Sequence, residues 1–241
     1  MSTYVLCHGG GMGGWIWKFV KPALIAAGHE VYTPTYSGFG EREHLLSNAI
    51  TPDVNVLDIV NVLEKEDIRD CILVGHSYSG CIMPGVVAKA GDRIRRVVLL
   101  DSLICYSGEP VGVALGFMAK EQAEGVLAGL IAGQIPPGQG VHTQQREMAK
   151  EHPMDMSPER QQWLLDNLSD QPLTCTVVGP SVGAETLKGK PVDYVAASDT
   201  IIKPLHPRAK ELGWTVHELQ GDHAFLVGQP EWTAKFLLDL A

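Results

Sequence analysis

Residues Leu73 to Gly80 read Leu-Val-Gly-His-Ser-Tyr-Ser-Gly, an apolar run that breaks at a glycine and presents one serine. Ser77 is therefore the candidate nucleophile. A serine hydroxyl attacks poorly at neutral pH, and a strained strand-to-helix turn helps by lifting its oxygen towards a base. The common pattern for such a turn is G-x-S-x-G, whereas here Ser79 holds the last position and glycine follows at Gly80. The extra atoms of Ser79 are expected to crowd the turn.

A base and an orienting acid must complete the chemistry. Of nine histidines, only His223 follows a late strand pattern, lies in a Gly221-Asp222-His223 turn and precedes a final helix. His76 reads as a packing residue of the turn, and His44, His142, His152, His206 and His217 read as surface residues. The expected acid is Asp199, which leaves a strand at Val192 to Ala197 and satisfies the order serine, acid, histidine. Asp101, at the end of Val97 to Leu100, is its rival. Acyl transfer also needs donors for a developing oxyanion: one is the Tyr78 amide, and the other comes from the loop His8-Gly9-Gly10-Gly11. The run Gly9 to Gly14 superficially resembles a dinucleotide fingerprint, but no acidic residue is placed to hold a ribose. No cofactor is expected.

These groups need a scaffold. Strand patterns at Tyr4 to Cys7, Glu30 to Thr33, Cys71 to Val74 and Arg95 to Leu100 alternate with helical patterns at Trp17 to Ala27, Pro52 to Lys65 and Ser79 to Ala90. That alternation predicts an α/β class with a mainly parallel, doubly wound sheet. Thr51 and Pro52 open the second helix, and Val56, Ile59, Val60 and Leu63 form its apolar stripe. From Ser107 to about Lys190 the alternation stops, with helical pieces near Gly116 to Ala132 and Pro158 to Leu168. So long a stretch is read as a helical cap inserted at about 107–190 into one domain of residues 1–241. Strands resume at Pro191 to Ala197 and Thr215 to Leu219, with helices near Pro204 to Leu212 and from Pro230.

The chain has 241 residues, enough for one sizeable core, and a net charge of -9 without a basic cluster. That balance disfavours a nucleic-acid or anionic-membrane partner and suits a small neutral ligand. The opening residues run directly into a strand pattern without leader features, and no apolar run reaches membrane length. Five cysteines without C-x-x-C spacing read as buried, reduced thiols, which suggests a cytoplasmic protein. Whether two copies pair as a homodimer is left open.

With these residues in place, the chain resembles the α/β-hydrolase fold, in the branch of plant methyl esterases, hydroxynitrile lyases and small bacterial esterases. The marks are Cys7-His8-Gly9-Gly10, Trp15-Ile16-Trp17, Ala27-Gly28-His29-Glu30-Val31, Gly75-His76-Ser77-Tyr78 and Gly221-Asp222-His223. Thr33-Pro34-Thr35 through Gly40-Glu41-Arg42-Glu43-His44-Leu45 looks like the bacterial esterases in particular. The resemblance implies Ser77 as nucleophile, Asp199 as acid, His223 as base, and Gly10 and Tyr78 as oxyanion donors. Similar lyases carry threonine where Gly9 stands and lysine where Ala224 stands, so both positions favour ester hydrolysis. A lyase, or a hydrolase-like receptor for a small ligand, is the alternative.

Overall fold

The computed structural model of the chain describes residues 1–138, 147 and 154–241. Six strands, β1 (Thr3–Cys7), β2 (Glu30–Tyr32), β3 (Cys71–His76), β4 (Ile94–Leu100), β5 (Val192–Asp199) and β6 (Thr215–Asp222), form one sheet in the order β2-β1-β3-β4-β5-β6. Every pairing is parallel. The expected α/β fold with a doubly wound parallel sheet is present.

Both faces of the sheet are buried, and this explains why its central strands read as continuous apolar runs rather than alternating ones. All of β3 is buried. Successive side chains point to opposite faces: Val5 and Leu73 pack in one core cluster, while Leu6 and Val74 pack in another. The first cluster receives Val56, Ile59, Val60 and Leu63 from α2 (Pro52–Lys65), with Met83 and Val86 from α3 (Met83–Ala90). The second receives Leu24 from α1 (Lys21–Ala26), with Ala234 and Leu237 from the closing helix Pro230–Asp239. Thr51 takes the extended N-cap conformation and Pro52 starts α2, whose missing amide costs nothing there.

Two anticipated helices are broken. Trp17 to Ala27 divides into a 3-10 segment, Gly14–Phe19, and α1; Ser79 to Ala90 divides into a 3-10 segment, Ser77–Cys81, and α3. Apolar spacing alone does not distinguish the tighter turn, because both forms place residues three apart on one side. Between β4 and β5 lie α4 (Val111–Ala114), α5 (Lys120–Ile131) and the helices Pro158–Asn167 and Thr174–Val177. No helix among the described residues is long and apolar enough to cross a membrane. All five cysteines are buried and free.

Candidate active site

The Ser77 turn carries its strain in the backbone. Ser77 has φ +54, in the left-handed region that costs a non-glycine residue roughly 1–3 kcal/mol. The sharp reversal turns β3 into the 3-10 segment Ser77–Cys81. Its first amides have no partner within the helix, and Tyr78 supplies one of them. The Tyr78 side chain points away, buried, with its hydroxyl donating to Asn55 Oδ1 at 3.0 Å.

Ser79 does not crowd the site. Its hydroxyl donates to the His8 carbonyl at 2.7 Å and lies 2.7 Å from the Tyr36 hydroxyl, fully buried beneath the turn. The glycine requirement falls one residue later: a Cβ at Gly80 would stand 1.9 Å from the Leu103 carbonyl oxygen. Gly75 is also needed, since its Cβ would press on that of Ser79 at 2.9 Å.

His223 lies immediately beyond β6, and its Nε2 accepts from the Ser77 hydroxyl at 2.9 Å. Its Nδ1 donates at 2.6 Å to Asp101 Oδ2, and not to Asp199 as expected. Asp199 stands exposed at the end of β5, whereas Asp101 is fully buried just beyond β4. Chain order cannot choose between them, because both fall between Ser77 and His223. Sheet order can. β4 is the direct neighbour of β3, whereas β5 lies one strand further away, about 4.8 Å more across the sheet.

Asp101 also has a left-handed backbone, φ +42. Its turn is fastened to the serine turn: Leu103 N–H donates to the Ser77 carbonyl at 2.9 Å, and the Ser102 hydroxyl donates to the Gly75 carbonyl at 2.7 Å. Burial alone would push the Asp101 carboxyl up. Hydrogen bonds from His206 and His223 outweigh it and hold the group well below the usual carboxylate range.

Two further histidines support the site as neutral rings. His76 Nε2 donates to the His223 carbonyl at 3.0 Å, and the two rings lie 4.6 Å apart, so His76 is the packing residue expected of it. His8 Nδ1 donates to the Gly9 carbonyl at 2.8 Å, while its Nε2 accepts from the Tyr36 amide. Burial pushes His76 down to about 3 and His8 down to about 4.

The surface reading of the remaining histidines holds for His44, which is exposed, and fails for two others. His206 Nε2 donates to Asp101 Oδ1 at 2.9 Å, and His217 Nε2 donates to Asp193 Oδ1 at 2.9 Å. Each meets a buried carboxylate far off in the sequence, His206 at the turn beyond β4 and His217 on the neighbouring strand β5, a long-range partner that local context does not reveal. His142 and His152 lie outside the described residues.

The glycine loop runs directly against Ser77. A Cβ at Gly9 would stand 2.8 Å from Ser77 Cβ and 3.0 Å from His76 Nδ1. Gln171, from the stretch between β4 and β5, places its side-chain oxygen where a Cβ of Gly10 would go, 2.4 Å from that position. The same stretch is tied to both active loops. Ser169 N–H donates to the Gly11 carbonyl at 3.0 Å, and Asp155 N–H donates to Asp222 Oδ2 at 2.6 Å. Neither Gln171 nor Ser169 belongs to a motif, so no local pattern marks them. Among the described residues no group of three His, Cys, Asp or Glu side chains is arranged to hold a metal. An open cavity of about 340 Å³, lined in part by Trp15, Lys18, Lys21 and Glu41, includes none of the triad residues.

This architecture has counterparts. The sequence profile of the alpha/beta hydrolase family matches residues 4–236. The chain belongs to that family. Among curated relatives, this chain is 36% identical over 133 residues to a carbendazim hydrolyzing esterase from Nocardioides sp. (strain SG-4G), covering 55% of this chain and 54% of the other. It is 28% identical over 107 residues to polyneuridine aldehyde esterase from Rauvolfia serpentina, covering 42% of this chain and 39% of that protein. The matched stretches thus span about half, or less, of these relatives' lengths. Among solved structures, an extracellular alpha/beta-hydrolase from a Paenibacillus species superposes with a TM-score of 0.76 at 22% identity, covering 99% of this chain and 98% of the other. That likeness shows a shared fold.

Proposed function

We propose that this hydrolase is a serine esterase acting on a small ester, through Ser77, His223 and Asp101. The observation that carries the reading is the continuous relay at one site: Ser77 hydroxyl to His223 Nε2 at 2.9 Å, and His223 Nδ1 to Asp101 at 2.6 Å. Relatives named as esterases support the same chemistry.

In this mechanism His223 takes the Ser77 proton as the oxygen attacks the ester carbonyl. Asp101 keeps the ring in the tautomer with Nδ1 protonated and stabilises the imidazolium that forms. The Gly10 and Tyr78 amides donate to the oxyanion, a contribution typically worth a hundred- to a thousandfold in turnover per donor. His223 returns the proton to the leaving alcohol, and an acyl-Ser77 ester remains. His223 then activates water, which releases the acid and restores the serine. The stretch between β4 and β5 acts as the cap that shapes the substrate pocket. The five free, buried cysteines support a cytoplasmic location.

Lyase chemistry is disfavoured by two positions. Gly9 has no room for the Cβ of a threonine without movement of Ser77 or His76, and Ala224 brings no cation to stabilise a departing cyanide.

The test is hydrolysis of p-nitrophenyl esters of graded acyl length, with carbamate and amide analogues, by Ser77→Ala, Asp101→Asn and Asp199→Asn. Loss of the serine should lower turnover by roughly a millionfold, by analogy with other serine triads. Asp101→Asn should lose several orders of magnitude, while Asp199→Asn stays near the parent. Full activity in Ser77→Ala would refute the esterase mechanism, and a collapse confined to Asp199→Asn would reassign the acid.

A further inference from the structure

Asp101 serves two imidazoles. His223 Nδ1 occupies Oδ2 at 2.6 Å, and His206 Nε2 occupies Oδ1 at 2.9 Å. The terminal torsion of an aspartate is soft, so one hydrogen bond fixes a distance but leaves the carboxylate plane free to swing. A second bond at the other oxygen removes that freedom. Among the described residues the backbone offers the Ala197 amide, at 3.3 Å from Oδ1, which is too long to do this alone.

His206 is itself held in place. It opens the helix His206–Glu211, its side chain is 16% exposed, and its ring stands edge-on to Tyr194 with centroids 5.7 Å apart. The Tyr194 hydroxyl donates to the Ser102 carbonyl at 2.8 Å, next to Asp101 in the chain. Asp101, Ser102, Tyr194 and His206 thus close a ring of contacts. Thr200 completes the surroundings: its Oγ1 lies 3.4 Å from His223 Nδ1 and its hydroxyl also bonds Asp101, a weaker hold than those of His206 and His223.

We propose that His206 is a positioning residue: it pins the second oxygen of Asp101 and so keeps the first aimed at His223. This rests on Asp101 being the orienting acid. His206 touches no reacting atom and acts through Asp101 alone.

The test compares His206→Leu, which removes the donor, with His206→Gln, whose amide can donate to the same oxygen. His206→Leu should lower kcat about tenfold with KM nearly unchanged, and His206→Gln should restore most of the loss. The low-field proton resonance of the His223 Nδ1–H bond should move upfield in His206→Leu and stay in place in His206→Gln. Nitrogen-15 spectra of the unaltered enzyme give a readout that needs no variant to fold: His206 should be locked as the Nε2–H tautomer, with its proton protected from exchange. Rapid exchange like that of the exposed His44, or unchanged kcat in His206→Leu, would overturn the proposal. Asp101→Asn separates the two readings. If it collapses turnover while His206→Leu does not, the acid assignment stands and His206 is not its clamp; if Asp101→Asn is harmless, the acid assignment itself fails.

Discussion

Single residues decide what the Ser77 turn can do. Ser79 replaces the usual glycine without loss because its hydroxyl is absorbed by the His8 carbonyl and Tyr36. Gly9 has the opposite character, since no atom can be added there without meeting Ser77. Gly9→Thr should therefore lower ester turnover at least tenfold, as overpacking of this kind displaces neighbours at a cost of about 1–3 kcal/mol. Steady-state kinetics with a p-nitrophenyl ester checks this, and an unchanged kcat would mean the loop yields freely. The meeting of Ser77 with His223 was legible in the sequence because each sits in a local motif: a glycine-bounded strand end for Ser77, a Gly-Asp-His turn for His223. The carboxylate that meets His223 was not. Asp101 and Asp199 both end strands and both satisfy the chain order, and only the neighbour relation of strands, a non-local property, separates them.

At the scale of elements, strand positions were readable because central parallel strands are uniformly apolar, and α2 was readable because its stripe and caps agree. The 3-10 segments and the partners of His206 and His217 were hidden, as they depend on tertiary packing. Two neutral, fully buried histidines link these elements to pH. His8 and His76 bind protons in the unfolded chain below about 6.5 but resist them in the fold down to about 4 and 3. The unfolded state therefore takes up more protons as the pH falls, and each histidine lowers stability by up to about 1.4 kcal/mol per pH unit in that window. Asp101 extends the loss below the usual carboxylate range, because its depressed folded value favours the ionised native state. Urea denaturation should show a lower midpoint at pH 5 than at pH 7, and His76→Gln should flatten the decline. A midpoint independent of pH in the parent would contradict the buried, neutral assignment.

For the whole molecule, the proposed triad is assembled from two separately anchored units. Ser77 and Asp101 leave adjacent strands, and the bonds from Leu103 and Ser102 staple their turns together. His223 arrives from the far edge of the sheet, steadied by the His76 bond to its carbonyl and by the Asp155 bond to Asp222. In the proposed mechanism the Ser77 and Asp101 turns are thus coupled to each other more directly than to the His223 loop. Local openings need less free energy than global unfolding. Mild urea should abolish ester hydrolysis at a concentration where far-ultraviolet circular dichroism still reports an intact sheet, and coincident transitions would show that the loop and sheet melt together. If the proposed mechanism holds, the stapled pair of turns makes the working lifetime a property of one loop's docking rather than of the fold's total stability, and variants chosen for endurance should strengthen the Asp155 to Asp222 attachment before they touch the core.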